Sequence, residues 1–579
     1  MEQSAPGKNK KDGAHAEVYA RAKKLFTKKD FDGTLAALDK ILEADAHDAA
    51  ALALAGDVYA ASGDVQQAMG HYGLAVQAAP DNTAYKRQFI AIAGKIVFTQ
   101  YNQAIAEILC LCLESPQIEC SHAQKLWYSL VRSHPQFSPL QENAFEKSAD
   151  LSFLMQPLFL TGIKRIVVCN ENFESFMTAL RRFLLEQKEA PKKFLPLDQY
   201  HALIEAVARY CFNTDYIFDR TEAEEKAVGR LHRELEDSPA ARQDIVKTGL
   251  YACYEPFYKL KMANDMALLP ELKAALDEYL DLQARAAKIP SLTEVTDAVS
   301  LKVREQYEEF PYPRWRELPL LASGTAFAID RAGAQILIAG CGTGQEPLIF
   351  ARACPQASVL AVDLSRASLA YASKKAEELG IKNVEFRHAD ILQLGSLDRS
   401  FDCISSMGVL HHMKDPVAGW KVLTKLLKPG GLMRVGLYSA PARRTIVEGW
   451  EMIRKGNYPA TADGMRRFRK DSKNLLGHGP ADHVFDARDY YHLNMYRDLL
   501  FHVQEHQFTL PQIQNILDNL GLEFFEFFDL SLPPEAKEYC RKFFPDEKKR
   551  KTLADWNKIE EANPYIFSCM YQFWCRKKI

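Results

Sequence analysis

The sequence predicts a multidomain chain in which an all-helical N-terminal part is followed by a doubly wound α/β domain. Two observations carry this prediction. Up to about residue 290, apolar residues recur at spacings of three and four, as on one face of an amphipathic helix. After Pro290, short apolar runs alternate with helical stretches, which is typical of crossover units in a mainly parallel sheet. With 579 residues, 47% of them hydrophobic, the chain is long enough for several buried cores.

The charge balance excludes a chain-wide preference for polyanions. Lysine and arginine total 73 against 75 acidic residues, so a nucleic-acid or acidic membrane partner would need a local basic patch. The basic run RRFRK at 466–470 lacks the aromatic interleaving of a known nucleic-acid module, and we expect no nucleic-acid partner. Residues 1–14 are polar and basic, and we predict that they are disordered. No apolar run reaches the roughly 18 residues of a membrane span.

The cysteine pattern indicates a reducing compartment. Twelve cysteines are scattered along the chain without a CxxC pair. This pattern suits neither a disulfide framework nor a zinc knuckle. We therefore predict free thiols, no metal site and a cytoplasmic location.

Residues 15–116 contain an internal repeat. Residues 50–82 carry small and aromatic residues at helix-hairpin spacing, and a weaker copy lies 34 residues earlier in the same register. The pattern resembles a tetratricopeptide repeat (TPR), with a degenerate third unit after it. Stacked hairpins of this kind offer extended binding surfaces, so the resemblance implies a protein partner. A purely structural role, capping the helical region at 117–290, stays open.

The loop after the first predicted strand decides what the α/β domain binds. Residues 336–346 read ILIAGCGTGQE, an apolar strand running into three alternate glycines. A dinucleotide fingerprint needs its third glycine where Gln345 stands, and a phosphate loop needs a Gly-Lys-Ser/Thr ending. The GCGTG motif instead resembles that of class I S-adenosylmethionine (SAM) methyltransferases. The resemblance extends from about residue 300 to residue 579 and implies SAM as cofactor and a Rossmann-like sheet with an antiparallel last strand.

The same resemblance assigns cofactor contacts. Asp363 ends the second predicted strand, where the family has an acid that accepts both ribose hydroxyls; capping the next helix is the alternative. Asp390 follows the third predicted strand at the position of the adenine contact, with turn chemistry as its alternative. Ala339 stands where many relatives carry an acid or another polar residue before the first glycine. The implied cofactor-binding residues are Gly340, Gly342, Gly344, Asp363, Leu364, Asp390, Ile391 and Met407.

The segment before the sheet, REQYEEFPYPRWRELP from residue 304, resembles a QYEExPYPRW element of bacterial methyltransferases that begin with TPR-like repeats. Pro311 and Pro313 predict an extended chain here. Its aromatic side chains either seal the domain edge or form a lid over the cofactor, where a sulfonium gains cation–π attraction. The predicted lid residues are Tyr307, Tyr312 and Trp315.

An insertion at about 440–508 follows the fifth predicted strand. It is too long for an ordinary connection, and we expect it to recognise the substrate. It ends in HVQEH at 502–506, which matches the HxxEH pattern of zinc peptidases; on a helix its two histidines would share a face. Its place inside the methyltransferase region argues against zinc, so we expect His502, Glu505 and His506 to face the acceptor.

Methyl transfer to a hydroxyl or a protonated amine also needs a base. The candidate catalytic residues are His411, His412, His506 and Tyr438, and a structural role is an equal alternative for the two adjacent histidines.

Together these features predict a SAM-dependent methyltransferase. The repeats favour a protein or protein-bound acceptor, whereas the FDCISSMGVLHHM segment is similar to small-molecule, quinone-type methyltransferases. A third hypothesis is a TPR scaffold whose methyltransferase fold has lost turnover, for which Ala339 is the support. The oligomeric state is not predicted. The predicted domain bounds are 1–14, 15–116, 117–290 and 291–579.

Overall fold

The computed structural model describes most of the chain, in two compact units, Met1–Ala274 and Ala275–Ile579. A helix from Pro270 to Ala286 contains the boundary between them. The predicted bounds at 116 and 290 stay predictions. The described residues are 8–142, 145, 150–189, 196–309, 311, 313–319, 329, 331–472, 488–528, 534–543, 552–567 and 570–579.

The first unit opens with two helical hairpins that show the predicted repeat. The helices are α1 (Lys8–Thr27), α2 (Phe31–Ala44), α3 (Ala49–Ser62) and α4 (Val65–Ala78).

Each hairpin turns at a left-handed residue, Lys29 in the first and Gly63 in the second, 34 positions later. The next residue, Asp30 or Asp64, caps the following helix by accepting a backbone N–H. A Cβ on Gly56 would lie 2.5 Å from the ring of Tyr72, so glycine permits the close contact of α3 with α4. The predicted 34-residue period is thus present in the fold.

The rest of the first unit consists of further helices around a buried aromatic core. Trp127 is fully buried and donates its indole N–H to the carbonyl of Leu158. The helices are α5 (Thr83–Ala93), α6 (Gln103–Leu113), α7 (Gln124–Arg132), α8 (Phe137–Glu142), α9 (Pro157–Arg165), α10 (Glu171–Glu189), α11 (His201–Asn213), α12 (Glu222–Asp237), α13 (Pro239–Arg242) and α14 (Ile245–Ala252).

The second unit is built on a seven-stranded sheet of order β3-β2-β1-β4-β5-β7-β6. Its strands overlap the apolar runs that follow Pro290, at 335–340, 359–365, 383–389, 401–410, 431–439, 522–530 and 564–574. β7 is antiparallel to both of its neighbours, and the other pairings are parallel, which confirms the predicted fold class. The strands are β1 (Gln335–Ala339), β2 (Ser358–Asp363), β3 (Val384–His388), β4 (Phe401–Met407), β5 (Leu427–Tyr438), β6 (Leu522–Phe527) and β7 (Met570–Lys577).

Helices cover both faces of this sheet. Alternate residues of β1 enter different cores: Ile336 and Ile338 join one cluster, and Leu337 and Ala339 the other. The strand order reverses between β1 and β4, which is where an open parallel sheet binds ligands. The helices are α15 (Pro270–Ala286), α16 (Ala298–Glu309), α17 (Gln345–Ala353), α18 (Arg366–Glu378), α19 (Pro416–Leu426), α20 (Arg444–Lys455), α21 (Ala462–Ser472), α22 (Leu493–Leu500), α23 (Leu510–Leu520), α24 (Pro534–Phe543) and α25 (Leu553–Ala562).

One local expectation was wrong. Tyr307 lies on helix α16, because the prolines restrict the backbone only from residue 310 onward and Asp297 caps the helix start by accepting two backbone N–H groups. The segment 502–506 is a loop, so the helical arrangement in which its two histidines would share a face is not formed. Tyr312 lies outside the described residues.

In the described part of the chain, no helix combines the length and apolar character needed to cross a bilayer. The cytoplasmic location stays a prediction.

Candidate active site

The glycine loop between β1 and α17 requires glycine for steric reasons. Gly340 and Gly344 have φ values of 80° and 85°, in the left-handed region that favours glycine. A Cβ would lie 2.4 Å from Val409 at the first position and 2.3 Å from the Cβ of Ala372 at the second. The loop therefore packs tightly against its neighbours and presents backbone to the cleft in front of the sheet.

Asp363, at the end of β2, holds the glycine loop. One carboxylate oxygen accepts the N–H of Gly342 at 2.7 Å, and the other accepts the N–H of Ser365 at 2.8 Å. Burial raises the pKa of the carboxyl group, partly offset by these backbone hydrogen bonds. The cap of α18 is the hydroxyl of Ser365, which accepts from the N–H of Ser368. Asp363 is therefore not needed as a cap, and ribose binding stays its predicted role.

Asp390 presents an unused acceptor. It is 2% exposed, and its Oδ1 accepts the N–H of Leu392 at 3.0 Å. Among the described residues, its buried Oδ2 has no hydrogen-bond partner. A buried acceptor without a donor is unfavourable unless a ligand supplies one. The exocyclic amino group of adenine is such a donor.

These elements surround one cleft of about 500 Å³ at the carboxyl ends of the strands. It brings together all but one of the predicted cofactor residues. The predicted residues among its lining are Gly340, Gly342, Asp363, Leu364, Asp390, Ile391, Met407, His412, Tyr438 and Tyr307.

The same cleft borders an aromatic and histidine cluster, of which His412 and Tyr438 line it. His411 and His412 form a short 3₁₀ turn after β4. The ring of His411 lies 4.0 Å from that of Tyr438, and the ring of His412 stacks 3.6 Å from that of His502. Burial lowers the pKa of both adjacent histidines well below the usual value, and neighbouring positive charge acts in the same direction. Both rings are therefore neutral near pH 7.

The tautomer of His412 follows from its hydrogen bond. Its Nδ1 lies 2.8 Å from the carbonyl oxygen of Gln504. Since a carbonyl oxygen can only accept, Nδ1 carries the proton and Nε2 keeps its lone pair. Neutral His412, which lines the cleft, is thus a proton acceptor by its chemistry.

Helix α16 and the insertion meet at the cleft wall. The hydroxyl of Tyr307 donates to Asp498 at 2.5 Å and lies 3.4 Å from Nε2 of His502. The backbone carbonyl of Tyr307 accepts the hydroxyl of Ser365 at 3.1 Å. Tyr307 therefore connects the segment after β2 with the insertion.

Other residues of the HVQEH segment support this wall without lining it. Glu505 is paired with Arg443 at 2.7 Å, and both side chains are buried. Burial raises the pKa of Glu505 to about 7. The amide of Gln504 lies 3.2 Å from Nε2 of His506. Glu505 and His506, like His411 and His502, are not part of the cleft lining. The predicted roles of these four residues stay predictions.

Trp315 supports the glycine loop. It is 6% exposed, donates its indole N–H to the carbonyl of Thr343 at 3.1 Å and accepts the hydroxyl of Tyr371 on its own carbonyl at 2.6 Å. Trp315 is not among the cleft-lining residues, so its placement fits the sealing alternative.

No group of three or more histidine, cysteine, aspartate or glutamate side chains in the described ranges is arranged to hold a metal ion.

Comparison with known proteins assigns the two recognisable parts. Residues 336–431 match the family described as a methyltransferase domain, which spans the glycine loop through the start of β5. This chain contains a class I SAM-dependent methyltransferase domain. Residues 25–88 match a tetratricopeptide repeat family. The predicted class I methyltransferase with TPR-like repeats and its predicted cofactor, SAM, are confirmed, and the QYEExPYPRW element stays a prediction.

Relatives of the methyltransferase domain are partial matches. An uncharacterized protein of Synechococcus is 27% identical over 261 residues, which are 40% of this chain and 61% of that protein. A ubiquinone/menaquinone biosynthesis C-methyltransferase of Bdellovibrio bacteriovorus is 31% identical over 121 residues, 21% of this chain and 49% of that enzyme. The chain thus covers less than two thirds of each relative. The structure of PKMT2 from Rickettsia typhi with AdoHcy is 19% identical, with a TM-score of 0.32 over 49% of this chain and 53% of that one.

The methyltransferase domain fits SAM by its own geometry. The glycine loop leaves backbone exposed to the cleft, and Asp390 offers an unused buried acceptor.

Sequence reasoning missed three charged cleft residues: Glu346, Arg434 and Asp498. Glu346 follows the glycine motif by two positions, which was the only hint. The other two look like ordinary charged residues of a strand and a helix.

Proposed function

We propose that this protein is a SAM-dependent methyltransferase whose acceptor enters the cleft beside His412, Tyr438 and Asp498. One observation carries the proposal. A single cleft is lined both by the glycine loop, Asp363 and Asp390 with its unpaired oxygen, and by a neutral histidine with an available lone pair.

The electrostatics of the cleft suit a cationic methyl donor. Bound SAM supplies a sulfonium methyl group, and its transfer yields the methylated acceptor, S-adenosylhomocysteine and, for a protonated nucleophile, one proton. The buried histidines are neutral, and the guanidinium groups of Arg434 and Arg443 are each paired with a glutamate. No uncompensated cation of the described cleft wall opposes a positively charged ligand.

His412 is the proposed base where the acceptor loses a proton. Its Nδ1–H is fixed on the carbonyl of Gln504, and the stacked ring of His502 holds its orientation. Proton transfer to Nε2 would place a positive charge in a cleft whose lining also includes the carboxylate of Asp498. Most of the remaining contribution is positioning, for which effective molarities reach roughly 10⁵–10⁸ M in well-oriented systems.

A protein or protein-bound acceptor is the favoured substrate class. The TPR match at residues 25–88 supports it, because stacked hairpins present extended surfaces for protein partners. The second candidate is a small, quinone-like acceptor. It is supported by the partial match to the ubiquinone/menaquinone C-methyltransferase over 121 residues.

Labelled methyl transfer separates these candidates. Full-length protein, radiolabelled SAM and lysate of a strain lacking this protein are incubated and fractionated into protein, lipid and small molecules. Label in protein supports the favoured class, and label in the lipid or small-molecule fraction supports the second. Label in no fraction, together with no SAM binding by calorimetry, would leave the inactive scaffold.

A further inference from the structure

The cleft contains a charged pair that the adenosine contacts do not use. Glu346, in the first turn of α17, and Arg434, on β5, both line the cleft beside the glycine loop. Their closest atoms, Oε1 of Glu346 and Nη1 of Arg434, are 3.1 Å apart. The side chains are only 19% and 10% exposed. This is therefore a largely buried ion pair that opens to the ligand space.

The pair is incompletely satisfied by the protein. The carboxylate oxygen that receives Arg434 also accepts the hydroxyl of Ser405 at 2.6 Å, so both described hydrogen bonds fall on one oxygen. In the described part of the chain, the buried Nε of Arg434 has no hydrogen-bond partner. Its Nη2 makes a long contact of 3.4 Å with Gln572. Each charged group thus has donor or acceptor capacity left over.

The unused hydrogen-bonding capacity of Glu346 and Arg434 is unusual because both side chains are largely buried. A largely buried ion pair is often no more stabilising than apolar residues of the same size, because desolvation offsets the attraction. The guanidinium also lies over the ring of Phe528, 3.8 Å from its centroid, which fixes its plane. A fixed carboxylate beside a fixed guanidinium is complementary to a ligand that carries one positive and one negative group.

The amino-acid part of SAM is such a ligand, with one ammonium and one carboxylate. The residue before the glycine motif is Ala339, which is fully buried and has no polar side chain to offer the ammonium. We propose that Glu346 and Arg434 form the subsite for the methionine end of SAM, Glu346 accepting from its ammonium and Arg434 donating to its carboxylate. This inference rests on the proposed function, because it concerns the cofactor of the same site.

Three ligands test the subsite on the full-length protein by calorimetry. They are SAM, decarboxylated SAM, which lacks the carboxylate, and 5′-methylthioadenosine, which lacks both charged groups. Arg434→Met should weaken SAM about 10- to 100-fold, as expected for a lost charge-assisted hydrogen bond, and leave decarboxylated SAM unchanged. Glu346→Gln should weaken SAM and decarboxylated SAM. Neither variant should change the affinity for 5′-methylthioadenosine.

Lys428→Met is the matched control. Lys428 lies on the same strand, pairs with Asp402 at 2.8 Å and is not part of the cleft lining, so its loss should leave all three affinities unchanged. The double variant Glu346→Gln/Arg434→Met removes both charges together and guards against damage from leaving one charge buried alone.

Different results would contradict the methionine subsite and the methyltransferase function. Unchanged SAM affinity in both single variants would overturn the subsite, and so would an equal loss for 5′-methylthioadenosine. If Arg434→Met raised only the KM of the acceptor, the pair would belong to the acceptor site, which also overturns the inference. If the unaltered protein bound none of the three ligands, the proposed function itself would fall.

Discussion

Asp363 has two tasks that a single substitution can separate. It holds the glycine loop through two backbone hydrogen bonds, and ribose binding is its predicted second role. Asp363→Asn keeps one acceptor oxygen but loses the charge. We expect SAM affinity to fall about tenfold or more, because hydrogen bonds to a charged acceptor contribute about 1.5–3 kcal/mol each. Calorimetry with SAM measures this loss.

The same substitution should lower the stability of the ligand-free protein slightly, since one of the two backbone donors loses its acceptor. Asp402→Asn is the control: Asp402 also accepts a backbone N–H, that of Gln335 at 2.9 Å, but is not part of the cleft lining. Equal SAM affinities for the Asp363 variant and the unaltered protein would refute the ribose assignment.

The stacked histidines predict a pH dependence of stability. Burial lowers the pKa of His502 below its ordinary value of 6.5, as it does for His411 and His412. Below pH 6.5 the unfolded chain therefore binds protons that the folded chain does not. The stability that these histidines contribute is present above pH 6.5 and is lost as pH falls toward the lowered pKa values, by up to about 1.4 kcal/mol per pH unit for each ring.

His502→Phe should remove the contribution of one histidine to the pH dependence of the unfolding free energy. Denaturant unfolding between pH 7.5 and 5.5 measures this dependence, on the transition that bound SAM shifts. The unfolding free energy of the variant should fall less steeply as pH falls. Parallel curves for the variant and the unaltered protein would mean that His502 is charged in the folded state.

At the level of single residues, the sequence was informative where the spacing from a predicted strand is enough to place a side chain. The glycines and the acids at strand ends could be placed from spacing, because the carboxyl ends of parallel strands converge. Asp498 and Arg434 could not, since their importance comes from contacts made across the fold: Tyr307 is 191 positions from Asp498, and Glu346 is 88 positions from Arg434.

Among the elements, strands were predictable and the approach segment was not. Seven apolar runs became seven strands. The central strands β1, β2 and β4 are buried almost throughout, which requires continuous apolar sequence, whereas β3 and β6 keep exposed residues. Helix α16 was missed because the prolines were read as extending the whole segment, although they act only on residues from 310 onward. The loop at 502–506 has no helical hydrogen bonds, and its position depends on Arg443 and the 3₁₀ turn of β4.

Helix α16 also carries a prediction. The carbonyl of Tyr307 accepts a hydrogen bond from Ser365, after β2, and the Tyr307 hydroxyl donates one to Asp498 on α22. Tyr307→Phe removes only the second attachment. We expect S-adenosylhomocysteine to dissociate several-fold faster, because a hydrogen bond to a charged acceptor contributes about 1.5–3 kcal/mol, part of which is regained from water. Stopped-flow fluorescence measures the dissociation rate.

Tyr458→Phe provides the matched control. Its hydroxyl donates to Asp471 at 2.7 Å in the same insertion, but the bond is exposed and is not part of the cleft lining. The control variant should release ligand at the unaltered rate. Identical rates for all three proteins would show that the hydroxyl of Tyr307 does not fasten the helix.

At the scale of the whole molecule, the sequence predicted the fold class, whereas the division into two compact units became visible only in the structure. Near-equal charges argued against a polyanion partner, and alternation of strands with helices gave the α/β part. The repeat bound at 116 falls within the first compact unit, where Arg165 donates to the carbonyl of Ser115 at 2.9 Å across that bound. A cut there would break this partly buried polar contact.

A chain beginning at Pro270 is therefore the sharper truncation. It keeps the helix that contains the boundary and the whole methyltransferase domain. A unit with its own core tolerates such a cut, so SAM affinity should stay within a few-fold of the full chain. If the TPR part docks a protein acceptor, methylation of that acceptor should fall while SAM binding persists, as measured by label transfer and calorimetry on the same preparation. Undiminished methylation would remove the docking role and favour a small acceptor, and loss of SAM binding would show that the second unit depends on the first.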